Sequence, residues 1–140
     1  GETVHVSVDL ESCQERGLEI DADTLQWWLG QDDAAAIELI TTGAPLATVL
    51  ENLTAFCDGA DEVWANSPKF DMAHLEAAYQ AAGMTPPWDF HELRDVRTLR
   101  ALPGAVEVEQ DGTEHDALDD AVHQAREVAA TLRALEGDDA

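Results

Sequence analysis

Glu62-Val63-Trp64-Ala65 is a short apolar run that passes through Asn66-Ser67-Pro68-Lys69 into a segment of helical period, so it reads as a buried strand feeding a helix. In that helix, from about Phe70 to Gly83, Met72, Leu75, Tyr79 and Ala82 recur on one face, and Pro86-Pro87 ends it. Glu92-Leu93-Arg94 reads as another small strand, and Asp95 as the cap of a helix through Leu102. Thr3 to Leu10 alternates apolar and polar residues and predicts a half-buried strand close to the start. Strands alternating with helices place the chain in the α/β class.

The remaining segments are helical. Asp21 or Asp23 can cap a short helix carrying Trp27, Trp28 and Leu29, stopped near Gly30. Asp32 and Asp33 open another over Ala34 to Thr41, with Gly43 as its stop. Pro45 suits a helix start, and Leu46, Val49, Leu50, Leu53 and Phe56 then follow at helical spacing as far as Asp58-Gly59. Pro103 to Gly112 reads as an exposed loop, and the last helix as Asp116 to Leu135. The 140 residues suffice for one domain with a core, expected over 1–136, with 137–140 as a frayed tail.

The charge is far from ordinary: 30 acidic against 7 basic residues, a net −23, with Lys69 the single lysine. Apolar content of 45% excludes a disordered chain. A nucleic-acid mimic, a binder of basic partners and a protein from a salt-saturated cell would each carry such charge. The even spread of acids favours the last, because in molar salt the Debye length falls to ~3 Å and the acids stop repelling one another. No stretch reaches the ~20 apolar residues of a membrane span, and no signal-peptide pattern opens the sequence. Cys13 and Cys57 are too few for a disulfide framework and read as two half-buried free thiols. A cytoplasmic location in a salt-adapted cell, or one infected by a virus, is expected.

Three places could carry chemistry. His115 lies five residues before Asp120, an interval that turns two helical residues about 140° apart. Both can face one cleft if His115 sits in the loop and Asp120 on the first helical turns. Asp71 follows the Val63–Ala65 strand, where α/β proteins build sites, although a first-turn aspartate is also favoured by the helix dipole. Asp116 and Asp119 suit the cap and third positions of the last helix. Asp71 and Asp120 suit a hard cation such as Mg²⁺ or Mn²⁺. Trp27 and Trp28 suit either base stacking or packing, and Arg94, Arg97 and Arg100 either phosphate contact or a solvated face.

Together these stretches resemble a known family. His115-Asp116-Ala117-Leu118-Asp119-Asp120-Ala121 is similar to the third motif of the DEDDh 3′–5′ exonucleases, and Asn66 to Asp71 to the second. Asp95-Val96-Arg97-Thr98 and Thr24 to Leu29 resemble the exodeoxyribonuclease VIII-like and exoribonuclease branch of phages and bacteria. The resemblance runs from about Gly1 to Leu132. It implies a ribonuclease H-like α/β/α arrangement in three layers around a mixed sheet, and two divalent metal ions, Mg²⁺ or Mn²⁺, held by four acids. It also implies a single-stranded or 3′-ended nucleic acid as substrate. Asp71 and Asp120 would be two of the acids, and His115 the general base. Asn66, Phe70, Trp28 and Arg97 are the residues expected to touch nucleic acid.

The family's first motif, Asp-x-Glu on the opening strand, has one lookalike, Asp9-Leu10-Glu11. Glu11 stands only 16 residues before Trp27, too close for that motif, and the spacing fits the family's third strand instead. Asp9 and Glu11 are therefore expected to be a chance likeness, and the domain to lack its first strands and two metal-binding acids. An exposed sheet edge would then invite pairing, including with a second copy. The expectation is an exonuclease domain that is weak or inactive as it stands. The rivals are a catalytically inactive remnant that binds a partner or nucleic acid and, with less support, an acidic DNA mimic.

Overall fold

A computed structural model describes residues 1–30, 42–111 and 116–137. The chain divides into two compact units: Gly1–His5, Gly59–His74 and Trp88–Ala140 form the first, Val6–Asp58 and Leu75–Pro87 the second.

In the first unit, β1 (Val63–Ala65) and β2 (Leu93–Asp95) pair in parallel, with Val63 opposite Leu93 and Ala65 opposite Asp95. Each strand runs directly into a helix: β1 into α4 (Pro68–Ala82), β2 into α5 (Val96–Arg100). Ser67 carries the start of α4, its carbonyl accepting from the Phe70 and Asp71 amides at 2.8 and 2.9 Å. Pro68 fills the first helical position, where a missing N–H costs nothing. Asp95 caps α5, as expected, by accepting from the Arg97 amide at 3.0 Å and the Thr98 hydroxyl at 2.7 Å. The hydroxyl bond leads in holding the Asp95 carboxyl below its ordinary pKa.

The last helix, α6 (Ala117–Gly137), starts at Asp116, whose Oδ1 accepts from Leu118 and Asp119, both at 3.0 Å. Gly137, expected in the tail, is still helical, and 138–140 lie outside the described residues. Val96 and Leu99 of α5 pack on Val128 of α6, with Trp64 of β1 against the cluster. The segment between α5 and α6 lies along α6 at three points. Val106 N–H donates to Thr131 Oγ1 at 2.9 Å, Gln110 Nε2 to Asp120 Oδ1 at 2.9 Å, and Arg126 Nη1 to Asp111 Oδ2 at 3.1 Å.

The second unit holds α1 (Leu10–Glu15), α2 (Ala22–Leu29), α3 (Leu46–Cys57) and the part of α4 from Leu75 on. The expected strand from Thr3 to Leu10 is not there. What forms is one parallel bridge, Val8 to Ala44, with Asp9 N–H on Ala44 O and Ala44 N–H on Ser7 O, both at 2.9 Å. The reason is local: Asp9 Oδ2 accepts from the Ser12 amide at 2.9 Å and turns the chain into α1 at Leu10. Val4 and Val6, two of the apolar residues in that alternation, are exposed. Asp21 caps α2 through the Thr24 amide at 2.7 Å, and the Thr24 side chain, followed by that amide, holds the Asp21 carboxyl below its ordinary pKa. The helix expected over Ala34 to Thr41 lies outside the described residues.

Leu46, Leu50 and Tyr79 form the buried centre of this unit. The apolar stripe of α3 fades toward its end, where Phe56 is exposed. Tyr79, with no exposed surface, puts its hydroxyl 3.1 Å from Leu50 O and 2.9 Å from Thr54 Oγ1. Cys13 and Cys57 are free and half-buried, as expected, and burial pushes both thiols up in pKa.

The described sheet is thus small and wholly parallel, and the class is α/β as expected. None of the described helices is long and apolar enough to cross a membrane.

Two substitutions test this packing. A Cβ at Gly43 would stand 2.3 Å from the backbone of both Val8 and Asp9, which cannot yield as a side chain would. Gly43→Ala should destabilise by about 1–3 kcal/mol in urea unfolding, with an unchanged slope. Tyr79→Phe should cost about 1 kcal/mol, because Leu50 O and Thr54 Oγ1 lose a buried partner while the ring still fills its space.

Candidate nucleic-acid cavity

Because β1 and β2 are parallel and in register at Ala65 and Asp95, both chains leave the sheet at the same edge. An open cavity of about 560 Å³ lies there. Its β1 side is Trp64 and Ala65, continued by Asn66, Ser67, Phe70 and Asp71 on the turn into α4. Arg97 comes from the first turn of α5, and Ala117, Ala121 and Gln124 come from α6. Those three are spaced i, i+4, i+7, one face of a helix, and the two alanines leave room in front of it.

Four expected site residues therefore meet in one place: Asn66, Phe70, Asp71 and Arg97. Asp71 stands in the first turn of α4, as expected, and its Oδ2 accepts from the Ser67 amide at 3.1 Å, which ties that turn. Its other oxygen carries no hydrogen bond among the described residues. Phe70 is 63% exposed at the rim, an unusual cost for a phenylalanine, and its ring lies 4.3 Å from that of His74, tilted by 47°. His74 Nδ1 is 2.7 Å from Phe70 O, which fixes the ring against its neighbour.

Asp120 lies on the same stripe of α6 as Ala117, Ala121 and Gln124, although it does not line the cavity. Its Oδ1 is engaged by Gln110. His115 falls within 112–115, outside the described residues. Asp9 and Glu11 belong to the second unit, where Asp9 is the cap of α1 and Glu11 is exposed in its first turn. Trp28 also belongs there, half-buried and edge-on to Trp27 at 4.9 Å. Among the described residues, no three His, Cys, Asp or Glu side chains group closely enough to hold a metal ion. Asp71 and Asp120 each have one oxygen engaged within the protein, by the Ser67 amide and by Gln110.

Of the three arginines that could meet phosphate, two have internal partners. Arg94 Nε donates to Glu62 Oε1 at 2.9 Å. Arg100 grips Glu127 of α6 with two nitrogens, Nε lying 3.1 and 3.3 Å from the carboxylate oxygens and Nη2 also bonded to Oε2, while Nη1 donates to Asn66 Oδ1 at 2.8 Å. The Glu127 side chain is only 10% exposed, and His123 Nε2 lies 3.6 Å from it. A buried carboxylate left without its arginine would be costly, so each partner holds the other in place. Among the described residues Arg97 has no such tie, and it is the one cation that lines the cavity.

Gln124 and Glu127 are not marked as site residues by the sequence, and Arg100 is marked only as a phosphate contact or part of a solvated face. The i, i+4, i+7 stripe with Ala117 and Ala121 was a readable sign for Gln124. Nothing in the spacing marked Arg100 and Glu127, 27 residues apart, as partners.

No curated protein and no solved structure matches the chain. A family model does: that of the 3′-5′ exoribonuclease Rv2179c-like domain matches residues 1–132, nearly the whole sequence. The chain belongs to the 3′-5′ exoribonuclease Rv2179c-like family.

Proposed function

We propose that the cavity at the β1–β2 edge receives the 3′-terminal segment of a single-stranded nucleic acid, and that the chain is a 3′–5′ exonuclease domain of the DEDDh, ribonuclease H-like kind whose hydrolytic power is weak as it stands. The observation that carries this is convergence: residues from three separate stretches, Asn66 to Asp71, Arg97 and the α6 face after Asp116, line one cavity. The family's description favours RNA. An exposed Phe70 offers a stacking surface, Arg97 a phosphate contact, and the Asn66 and Gln124 amides hydrogen bonds.

In this reading, two divalent ions, Mg²⁺ or Mn²⁺, supply the stabilisation of attacking and leaving oxygens when bound. Asp71 and Asp120 are two of their ligands, and His115 is the base that takes a proton from water. The use of Asp9 as a helix cap supports treating Asp9-Leu10-Glu11 as a chance likeness to the first motif. With two ligands rather than four, the metal affinity is low. The same observation favours a second reading, a nucleic-acid-binding domain without catalysis. The net −23 fits a cytoplasm of high salt, and in that setting the chain can approach a polyanion.

Two measurements decide between these readings. With Mn²⁺ in molar KCl, the 140-residue chain should degrade a 3′-ended oligoribonucleotide little or not at all. Robust Mg²⁺- or Mn²⁺-dependent degradation, abolished by His115→Ala and by Asp9→Ala, would overturn the weak-site reading. In chelator, fluorescence anisotropy should show the same oligonucleotide binding in molar KCl and more weakly at low salt, the reverse of ordinary nucleic-acid binders. Phe70→Ala should weaken that binding by about 1–3 kcal/mol. Binding indifferent to Phe70 would sink the cavity assignment.

A further inference from the structure

Arg100 reaches Asn66 from behind the cavity wall, and the direction of that bond has a consequence. A guanidinium only donates hydrogen bonds. The Asn66 amide must therefore turn its oxygen to Arg100, as the 2.8 Å contact has it. Its NH₂ then points elsewhere, and it donates to no protein group among the described residues. Asn66 itself lines the cavity beside Phe70 and Asp71. The guanidinium cannot rotate to release it, because Nε and Nη2 are both held by Glu127, whose side chain is nine-tenths buried.

We propose that the Arg100–Glu127 pair is a positioning device that locks the Asn66 amide with its NH₂ toward the cavity, as a fixed donor to a phosphate oxygen of the bound nucleic acid. Arg100 and Glu127 touch no substrate in this scheme; they act through Asn66. The proposal rests on the reading of the cavity as a nucleic-acid site. The cavity needs such a donor. Asp71 contributes a negative carboxylate beside Asn66, and Arg97 is the one cation lining the described cavity. A neutral amide attracts phosphate without drawing the neighbouring carboxylate into an ion pair. Its bond is also directional, so it keeps its effect in molar salt, where an exposed cation is screened. An amide free to flip would offer its oxygen to the phosphate part of the time and repel it. The lock removes that state.

The test uses the full chain in molar KCl with chelator, reading both oligoribonucleotide affinity by anisotropy and thermal unfolding. Asn66→Asp keeps the oxygen on Arg100 and strengthens that bond by charge, while deleting the donor. It should unfold no earlier than wild type yet bind roughly tenfold more weakly. Asn66→Ala adds no charge and should lose about as much affinity, which separates a missing donor from simple repulsion. The paired change Arg100→Met with Glu127→Met removes the lock without stranding a buried charge. It should keep the unfolding temperature while weakening binding roughly fivefold, and Arg100→Lys should recover part of that loss. In the paired background, Asn66→Ala should no longer shift the unfolding temperature.

Wild-type affinity in Asn66→Ala, or in the paired Met variant, overturns the proposal and leaves the cavity reading standing. Equal unfolding shifts from Asn66→Ala in both backgrounds overturn the lock itself. A wild-type chain that binds no oligonucleotide overturns the cavity reading, and this donor's ligand with it.

Discussion

Six residues in parallel register organise the first unit. Val63–Ala65 and Leu93–Asp95 are too short to contribute much burial, but their pairing in one direction obliges both successors to begin at one edge. Had the pair been antiparallel, Asn66 and Arg97 would lie at opposite ends of the strands. The capping by Ser67 and Asp95 is what lets each chain turn at once from extended to helical backbone, within three residues of the strand end on one side and one on the other. The cavity follows from those two turns and from the small side chains on α6 that face it.

Much of this was legible because its causes are local. The helix starts at Asp21, Asp95 and Asp116 announce themselves through side chains that satisfy amide groups two or three residues on, and each formed where expected. The inward stripe of α4 was readable for the same reason, since Met72 and Tyr79 obey the helical period and are buried. The failure at Thr3–Leu10 has the same origin. Alternation there promised a strand, but a strand needs a partner along its length, and the described residues supply one, Ala44. Asp9, one place before the end, had a helix to cap, and the local contact prevailed.

The candidate site was legible in outline. Asn66, Phe70, Asp71 and Arg97 were nominated by motif, and they line one cavity. What hid was the support behind them. Arg100 and Glu127 sit on different helices, and no periodicity links residues whose relation is set only by how α5 packs on α6. Sequence pattern reveals which residues share an element; it is silent on which elements share a charge.

Among the described residues, four aspartates at α-helix starts give the acidity of this chain a division it does not have as a number. Asp9, Asp21, Asp95 and Asp116 each hold a backbone amide at the mouth of α1, α2, α5 or α6. They are fasteners, whereas exposed carboxylates such as Glu107 and Glu109 make no such bond among the described residues. An effort to recode the protein for dilute buffer, by trading acids for neutral residues, therefore faces two currencies of carboxylate that look identical in a composition table. The coat can be thinned residue by residue. The fasteners can be exchanged only for side chains that still accept from the same amide, asparagine or serine among them, or the helix behind each begins to unravel from its first turn.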